Sequence, residues 1–193
     1  QNVSAVYAFK KEKFYELKNS LILSALTLPG AIIGAVTAVS ISDELFEKIL
    51  GVIMIFIIIT MLLPKKKIEK TSSDFSIDWK IILAMIVVGF YGAFLQVGVG
   101  FLLMASFQYL MNLDLIRVNM HKVFVVFVFT IPALIIFILT DNINWYYGLT
   151  LSAGNAFGGW WGAKLSVKKG EKLIKSVLII AILIMSLKLL NLF

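Results

Sequence analysis

The uncharged polar residues best placed to bind a ligand surround a glycine break in one long apolar stretch. Residues 81–112 carry no charged side chain, and Gln96, Gly98 and Gly100 lie in the middle of this run. Glycine tolerates backbone angles that other residues avoid and brings no side chain to block a ligand. A helix that begins after the break would present free N–H groups and a positive dipole to an anion. The pattern therefore predicts an anion site here, with the Gln96 amide as a further donor.

The length of the same stretch is unusual for a membrane segment. About 20 apolar residues cross the hydrocarbon core, so this run is long for one crossing and short for two. We therefore expect two short helices, roughly residues 81–95 and 101–111, that meet inside the membrane. Backbone at that depth needs protein or a wet cavity around it, which makes a broken helix a candidate binding site. The alternative is that the glycines only allow close helix packing and that Gln96 bonds to a neighbour.

Three further polar residues are candidates for the site. Asn119 and Lys122 are three positions apart, hence on one helical face, directly before the uncharged run 123–140. Lys122 supplies a positive charge at a cavity entrance, or it snorkels to the interface, the commoner role of a lysine at a helix end. Asn155 either faces the cavity or bonds across helices. We interpret the single histidine, His121, as an interfacial residue rather than a proton relay.

Composition argues against a soluble enzyme and against a nucleic-acid-binding protein. Of the 193 residues 60% are hydrophobic, and the net charge of +7 comes from lysine clusters that flank apolar runs. Such flanking clusters orient helices in a bilayer. One histidine and no cysteine are too few ligands for a zinc site, and no carboxylate pair or nucleophile pattern is present. We therefore predict an all-α, polytopic membrane protein that is not an enzyme and holds no metal or cofactor.

The chain divides into two transmembrane repeats joined by a polar linker. We interpret residues 1–63 as the latter part of the first repeat, whose beginning we expect to be absent from this chain. Residues 64–78 have the composition of a mobile cytoplasmic linker. Residues 79–193 are interpreted as the second repeat. Together they form one integral membrane domain.

A gapless alignment of the chain with itself supports the duplication. A shift of 128 positions lays residues 21–63 on residues 149–191, and the GxxxGA sequence that begins at Gly30 falls on the one that begins at Gly158. Hydrophobic helices match easily by chance, but a paired glycine motif at one offset is less easily dismissed. We therefore predict an internal repeat.

The distribution of Lys and Arg predicts the orientation of the loops. The loops carry, in order, four, one, five, two, none and five such residues, and basic loops stay in the cytoplasm. We expect residues 65–80 to be cytoplasmic in a multi-pass protein of the plasma membrane. The broken segment would then be a re-entrant hairpin and the repeats would be inverted. The alternative, a single kinked crossing with parallel repeats, requires a lysine-rich loop outside.

Short motifs follow one another from the break to the end of the chain. They are YGAFLQVGVGFLL (91–103), NMHK (119–122), PALIIF (132–137), NWYYGL (144–149), GxxxGAKL (158–165) and KKGEKLIK (168–175). In order and spacing they resemble the second half of the TauE/SafE family, also called TSUP or DUF81. The resemblance covers residues 79–193, and residues 1–63 resemble the latter part of the family's first half.

The resemblance implies transport of small sulfur-containing anions of the sulfite, organosulfonate or thiosulfate type. It places the family's glycine signature at Gly98 and Gly100 and its basic position at Lys122. The family often has more glycines at the break, where this chain has Gln96 and Val99. The expected partners are a small anion and the lipid bilayer, and no nucleic acid is expected. Whether the protein forms a homo-oligomer is left open. The competing hypotheses are a non-transporting membrane subunit that docks a partner protein and, more weakly, a membrane enzyme.

Overall fold

All regular structure in the described part of the chain is helical. The computed structural model describes residues 16–62, 77–113, 115–169 and 171–189. Within them lie seven helices and no strand: α1 (Leu17–Ser40), α2 (Asp43–Leu62), α3 (Trp79–Phe94), α4 (Val99–Met111), α5 (Leu115–Leu139), α6 (Trp145–Lys169) and α7 (Glu171–Leu189). The predicted all-α class is confirmed. Most of the predicted linker at residues 64–78, and the first fifteen residues, lie outside the described residues.

The helices form two units by their contacts. The first unit contains α1, α3, α4 and α5, and the second contains α2, α6 and α7. Each unit combines helices from both predicted repeats. Helix α1 from the first repeat joins α3–α5 from the second, and α2 from the first repeat joins α6 and α7 from the second. The candidate residues at the break belong to the first unit.

Helix lengths separate membrane-spanning segments from the broken one. Within the described residues, Leu17–Ser40 and Arg117–Leu139 are long and apolar enough to cross a membrane. Trp79–Phe94 is a shorter apolar helix, and α4 follows it after a gap of four residues. The run at residues 81–112 is therefore divided as predicted, with the helix ends one and two residues from the expected positions.

Glycines allow α1 and α3 to pack backbone against backbone. A Cβ on Gly30 would overlap the carbonyl oxygen of Ile86, and one on Gly34 would overlap that of Phe90. From the other side, a Cβ on Gly89 would overlap a carbonyl oxygen of α1. Small residues that bring helix backbones together are the usual basis of close packing in membrane proteins. The GxxxG pair of α1 thus serves helix packing and fixes the position of α3.

The core of the first unit combines large apolar side chains with a line of buried hydroxyls. The large apolar side chains that are fully buried include Leu23, Met85, Leu103, Phe107, Val118, Val125 and Phe129. Ser20, Ser24 and Thr27 are also buried, on one face of α1. The Ser24 and Thr27 hydroxyls donate to backbone carbonyls one turn earlier, each at 2.7 Å. Buried polar groups are thereby satisfied within the helix.

The second unit is built around α7, which packs against α2 and α6. Met54, Ile57 and Ile58 of α2 are buried. Asn144 caps α6, because its Oδ1 accepts a hydrogen bond from the Tyr147 N–H at 3.2 Å. This cap explains why α6 begins directly after Asn144.

Candidate functional site

The break between α3 and α4 contains two residues in the left-handed region. Gly98 has φ 73° and is the N-cap residue of α4, and Gln96 has φ 61°. A left-handed conformation costs a residue with a Cβ roughly 1–2 kcal/mol, so glycine is the expected residue at position 98. Gln96 bears this cost itself. The break is therefore a defined turn with local backbone strain rather than a simple end of two helices.

A tyrosine of α3 holds the turn in place. The Tyr91 hydroxyl donates to the Val97 carbonyl oxygen at 2.6 Å, and the Leu95 N–H closes α3 by donating to the Tyr91 carbonyl at 2.9 Å. Both bonds satisfy backbone groups that lie outside regular helix, as buried backbone requires. Tyr91 was not among the residues that the sequence singled out, because nothing in its spacing shows that its hydroxyl reaches a carbonyl six positions later.

The first turn of α4 directs its N–H groups toward the break. The Val99 N–H donates to the Gln96 carbonyl at 3.4 Å, and the Phe101 N–H donates to the Gly98 carbonyl at 2.9 Å. The Gly100 N–H lies between them in the same turn. Helix N-termini carry partial positive charge and favour anions. The predicted start of a helix after the break is thus present, at Val99, three residues after Gln96.

Lys122 lies beside this turn. A Cβ on Gly100 would be 3.7 Å from Cδ of Lys122, with no other contact within 4 Å. The half-buried Lys122 extends along α4, where its Nζ donates to Sδ of Met104 at 3.9 Å. Within the described residues, no carboxylate forms an ion pair with Lys122. An ammonium without a carboxylate partner can attract an anion from solution.

The remaining predicted site residues occupy different surroundings. Gln96 lies in the break with an exposed side chain, and Asn119 is exposed on α5, three residues before Lys122. Asn155 is exposed on α6, in the second unit. The structure therefore joins Gly100 to Lys122 directly and places Gln96 and Gly98 in the adjoining turn.

The arrangement can bind an anion, but its side chains supply no general base or nucleophile. An apolar helical chain with helices of membrane-spanning length and a helix broken at an uncharged turn belongs to the class of helical membrane proteins. Comparison with known proteins identifies the family within this class. The family described as "Sulfite exporter TauE/SafE" matches residues 1–189. The chain therefore belongs to the TauE/SafE family, as the sequence motifs predicted.

Individual relatives agree with this membership. The chain is 27% identical over 191 residues to "Probable membrane transporter protein YfcA" of Escherichia coli (strain K12), which covers 98% of this chain and 71% of that protein. It is 23% identical over 188 residues to "Probable membrane transporter protein ORF9" of Sinorhizobium sp, covering 97% and 72%. It is 25% identical over 204 residues to "Probable membrane transporter protein YunE" of Bacillus subtilis (strain 168), covering 97% and 75%. No solved structure gives a significant match. The protein is a helical membrane transporter and not an enzyme.

Proposed function

We propose that this protein is a secondary transporter of small sulfur-containing anions, of the sulfite, organosulfonate or thiosulfate type, and that the anion binds at the broken helix. The observation that carries the proposal is the contact of Lys122 with Gly100 in the first turn of α4. The stem of Lys122 lies against the first turn of α4, and its ammonium lies one turn farther along the same helix, at Met104. The family description, which names sulfite, supports the class of anion.

The proposed site can compensate for the loss of anion hydration. At an effective dielectric of about 20, two unit charges about 4 Å apart attract by roughly 4 kcal/mol. The start of α4 adds a favourable dipole, and the Gly100 N–H lies in the same turn. A sulfur oxyanion has several oxygens, so it can accept from both the ammonium and the backbone. Gln96, exposed in the break, and Asn119, exposed on α5 three residues before Lys122, are proposed as further polar contacts.

The proposal includes an arrangement in the membrane. The broken segment α3–α4 enters and leaves on the cytoplasmic side, with residues 65–80 also in the cytoplasm of a plasma-membrane protein. The lysine content of the flanking loops favours this arrangement. Two inverted repeats would then alternate access to a site near the membrane middle.

Flux through reconstituted vesicles tests the function. Purified protein in proteoliposomes preloaded with unlabelled thiosulfate, sulfite or methanesulfonate should accumulate the labelled anion by counterflow. Chloride and acetate at equal concentration should compete poorly. Protein-dependent uptake of chloride or acetate at equal rate, or no uptake of any sulfur anion, would contradict the proposal. Empty vesicles and vesicles with an unrelated membrane protein are the controls.

A further inference from the structure

A second polar cluster lies where α5 packs against α1 and α4. The imidazole of His121 is 0% exposed, although the sequence indicated an interfacial residue. Its Nδ1 is 2.8 Å from the Ser20 hydroxyl, and its Nε2 is 3.6 Å from Oε2 of Glu16. The ring of Phe107, from α4, meets it edge to face at a centroid distance of 6.1 Å. A buried imidazole is thus held between a hydroxyl and a carboxylate.

The carboxylate of Glu16 links this imidazole to the surface. The Glu16 side chain is 31% exposed, and its Oε1 lies 3.3 Å from Nε of Arg117. The Asn19 amide donates to Oε2 at 2.9 Å. The Glu16 backbone carbonyl accepts from the Ser20 N–H at 3.0 Å, at the start of α1, where a negative charge is favoured. Glu16 is therefore held in place and partly in contact with solvent.

The cluster can hold His121 in either charge state without rearrangement. In the neutral form, the Ser20 hydroxyl donates to Nδ1 and the Nε2–H points toward Glu16. In the charged form, the Nδ1–H donates to the Ser20 oxygen and the Nε2–H still faces Glu16. A hydroxyl can donate or accept, and a carboxylate stabilises an imidazolium. Histidine is also the side chain that ordinarily changes charge near neutral pH.

We infer that His121 binds the proton that moves with the anion during transport, with Glu16 and Ser20 as its positioning residues. The inference rests on the proposed transport function. One proton from water adds to the neutral imidazole, giving the imidazolium, and the same proton leaves to water on the other side of the membrane. No other bond forms or breaks.

The position of His121 next to Lys122 gives the direction of coupling. The two adjacent residues of α5 face different helices, His121 toward Ser20 of α1 and Lys122 toward Gly100 of α4. The charged groups around His121 in the described chain are Glu16, Arg117 and Lys122, and α4 presents the apolar Phe107. A proton on His121 adds positive charge beside the anion site, so proton and anion bind more tightly together than separately. Both should therefore cross in the same direction.

Proton movement in vesicles tests the inference separately from transport itself. The probe anions are thiosulfate and methanesulfonate, which carry no proton near neutral pH, unlike sulfite. Proteoliposomes with an internal pH dye and a clamped membrane potential should acidify inside as labelled anion enters, by one proton per anion. In His121→Gln, anion counterflow should persist with at least about tenfold less acidification per anion. Wild-type entry of anion without acidification, or unchanged acidification in His121→Gln, would overturn the inference. Absence of all anion flux would instead contradict the proposed function.

A spectroscopic titration measures the charge state of His121 without any need for transport. Because the sequence has one histidine, every imidazole nitrogen signal from histidine-labelled protein in bilayers belongs to His121. Its signals should change from charged to neutral as the pH rises from about 5 to about 9. At a pH where both forms are present, addition of methanesulfonate should increase the signal of the charged form. An imidazole that keeps one charge state over this range, or a charged-form signal that the anion leaves unchanged, would overturn the inference.

Glu16→Gln covers the case in which His121→Gln does not fold. Glutamine keeps the size of Glu16 and a hydrogen-bond acceptor for Asn19, but it removes the charge that favours an imidazolium. Acidification per transported anion should fall at least several-fold while anion counterflow persists, because the imidazolium loses the carboxylate that stabilises it. The matched control is Lys18→Gln, an exposed residue of the first turn of α1, which should leave both unchanged. Acidification per anion in Glu16→Gln equal to that of the wild type would contradict the role of the cluster.

Discussion

The side chain of Lys122 lies against Gly100, with its Cδ 3.7 Å from the position that a Cβ on Gly100 would occupy. The two residues come from consecutive helices, α5 and α4, and they are separated by 22 positions in the chain. The contact places a basic side chain at the first turn of the helix that follows the break. The charge of Lys122 and the absent side chain of Gly100 can therefore be tested independently.

Removal of the Lys122 charge should abolish most anion transport without unfolding the protein. A fixed ammonium near the anion contributes up to roughly 4 kcal/mol at an effective dielectric of about 20, so Lys122→Gln should reduce counterflow at low anion concentration at least about tenfold. Lys122→Arg should retain part of it. Lys188→Gln, exposed near the end of α7, is the control. Wild-type transport by Lys122→Gln over the full range of anion concentration would show that the site lies elsewhere.

The size of residue 100 should control the position of Lys122. The nearest atom to a Cβ on Gly100 is at ordinary van der Waals distance, so Gly100→Ala should transport nearly as the wild type does. Gly100→Val adds two methyl groups beside the Lys122 stem and should raise the half-saturation concentration for thiosulfate about tenfold, equal to about 1.4 kcal/mol. Counterflow kinetics and melting temperature measure this. Equal kinetics for alanine and valine would show that the contact has no part in binding.

Close packing of α1 on α3 should make Gly30 essential for stability. A Cβ there would overlap a backbone carbonyl of α3, which cannot move aside as a flexible side chain can. Gly30→Ala should therefore lower the free energy of unfolding by roughly 1–3 kcal/mol or more. For comparison, Gly148 in α6 has nothing within 4 Å of its Cβ position, so Gly148→Ala should be neutral or stabilising by up to about 1 kcal/mol. Unfolding of both variants in mixed micelles with SDS gives the difference directly.

Substitutions at Gly98 and Gln96, the two left-handed residues of the break, should change the stability of the protein in opposite directions. Gly98→Ala places a Cβ at φ 73° and should destabilise the protein by about 1–2 kcal/mol, whereas Gln96→Gly removes a Cβ at φ 61° and should relieve a similar strain. The Gln96 side chain is exposed, so little packing is lost with it. If Gln96→Gly stabilises the fold yet weakens anion binding in counterflow, its amide contacts the substrate.

Cysteine labelling should determine whether the broken segment returns to the side from which it came. The chain has no cysteine, so a single introduced thiol gives an unambiguous signal. We expect a cysteine introduced at Asp78, directly before α3, to react with an impermeant maleimide from the cytoplasmic side. The same is expected of a cysteine at Asp114, which lies outside the described residues. Labelling from opposite sides would support a kinked crossing with parallel repeats.

The helix break could be read from local sequence because its cause is local. An uncharged run longer than one span, with Gly98 in its middle, leaves few backbone solutions, and the helices end and begin within two residues of the predicted positions. The strain at Gln96 was not foreseen, since a non-glycine residue in the left-handed region depends on contacts around the turn. One such contact is the Tyr91 hydroxyl bond to Val97.

The surroundings of His121 show where local reasoning failed. A histidine between charged residues and an apolar run suggests the interface, yet the imidazole is enclosed by partners from other helices. Its partner Ser20 is 101 positions away in the chain. No spacing rule reports such a pair, because α1 and α5 meet only in the folded protein.

The sequence by itself determined the all-helical membrane class, the family and the broken helix, because hydrophobic length, charge position and glycine content act locally along the chain. Only the tertiary structure decided which polar groups meet. It placed Lys122 beside Gly100 and enclosed His121 between Ser20 and Glu16, while leaving Asn119 exposed. The physical reason is that such contacts depend on how helices distant in sequence pack and rotate against one another, and periodicity within a single helix does not specify either.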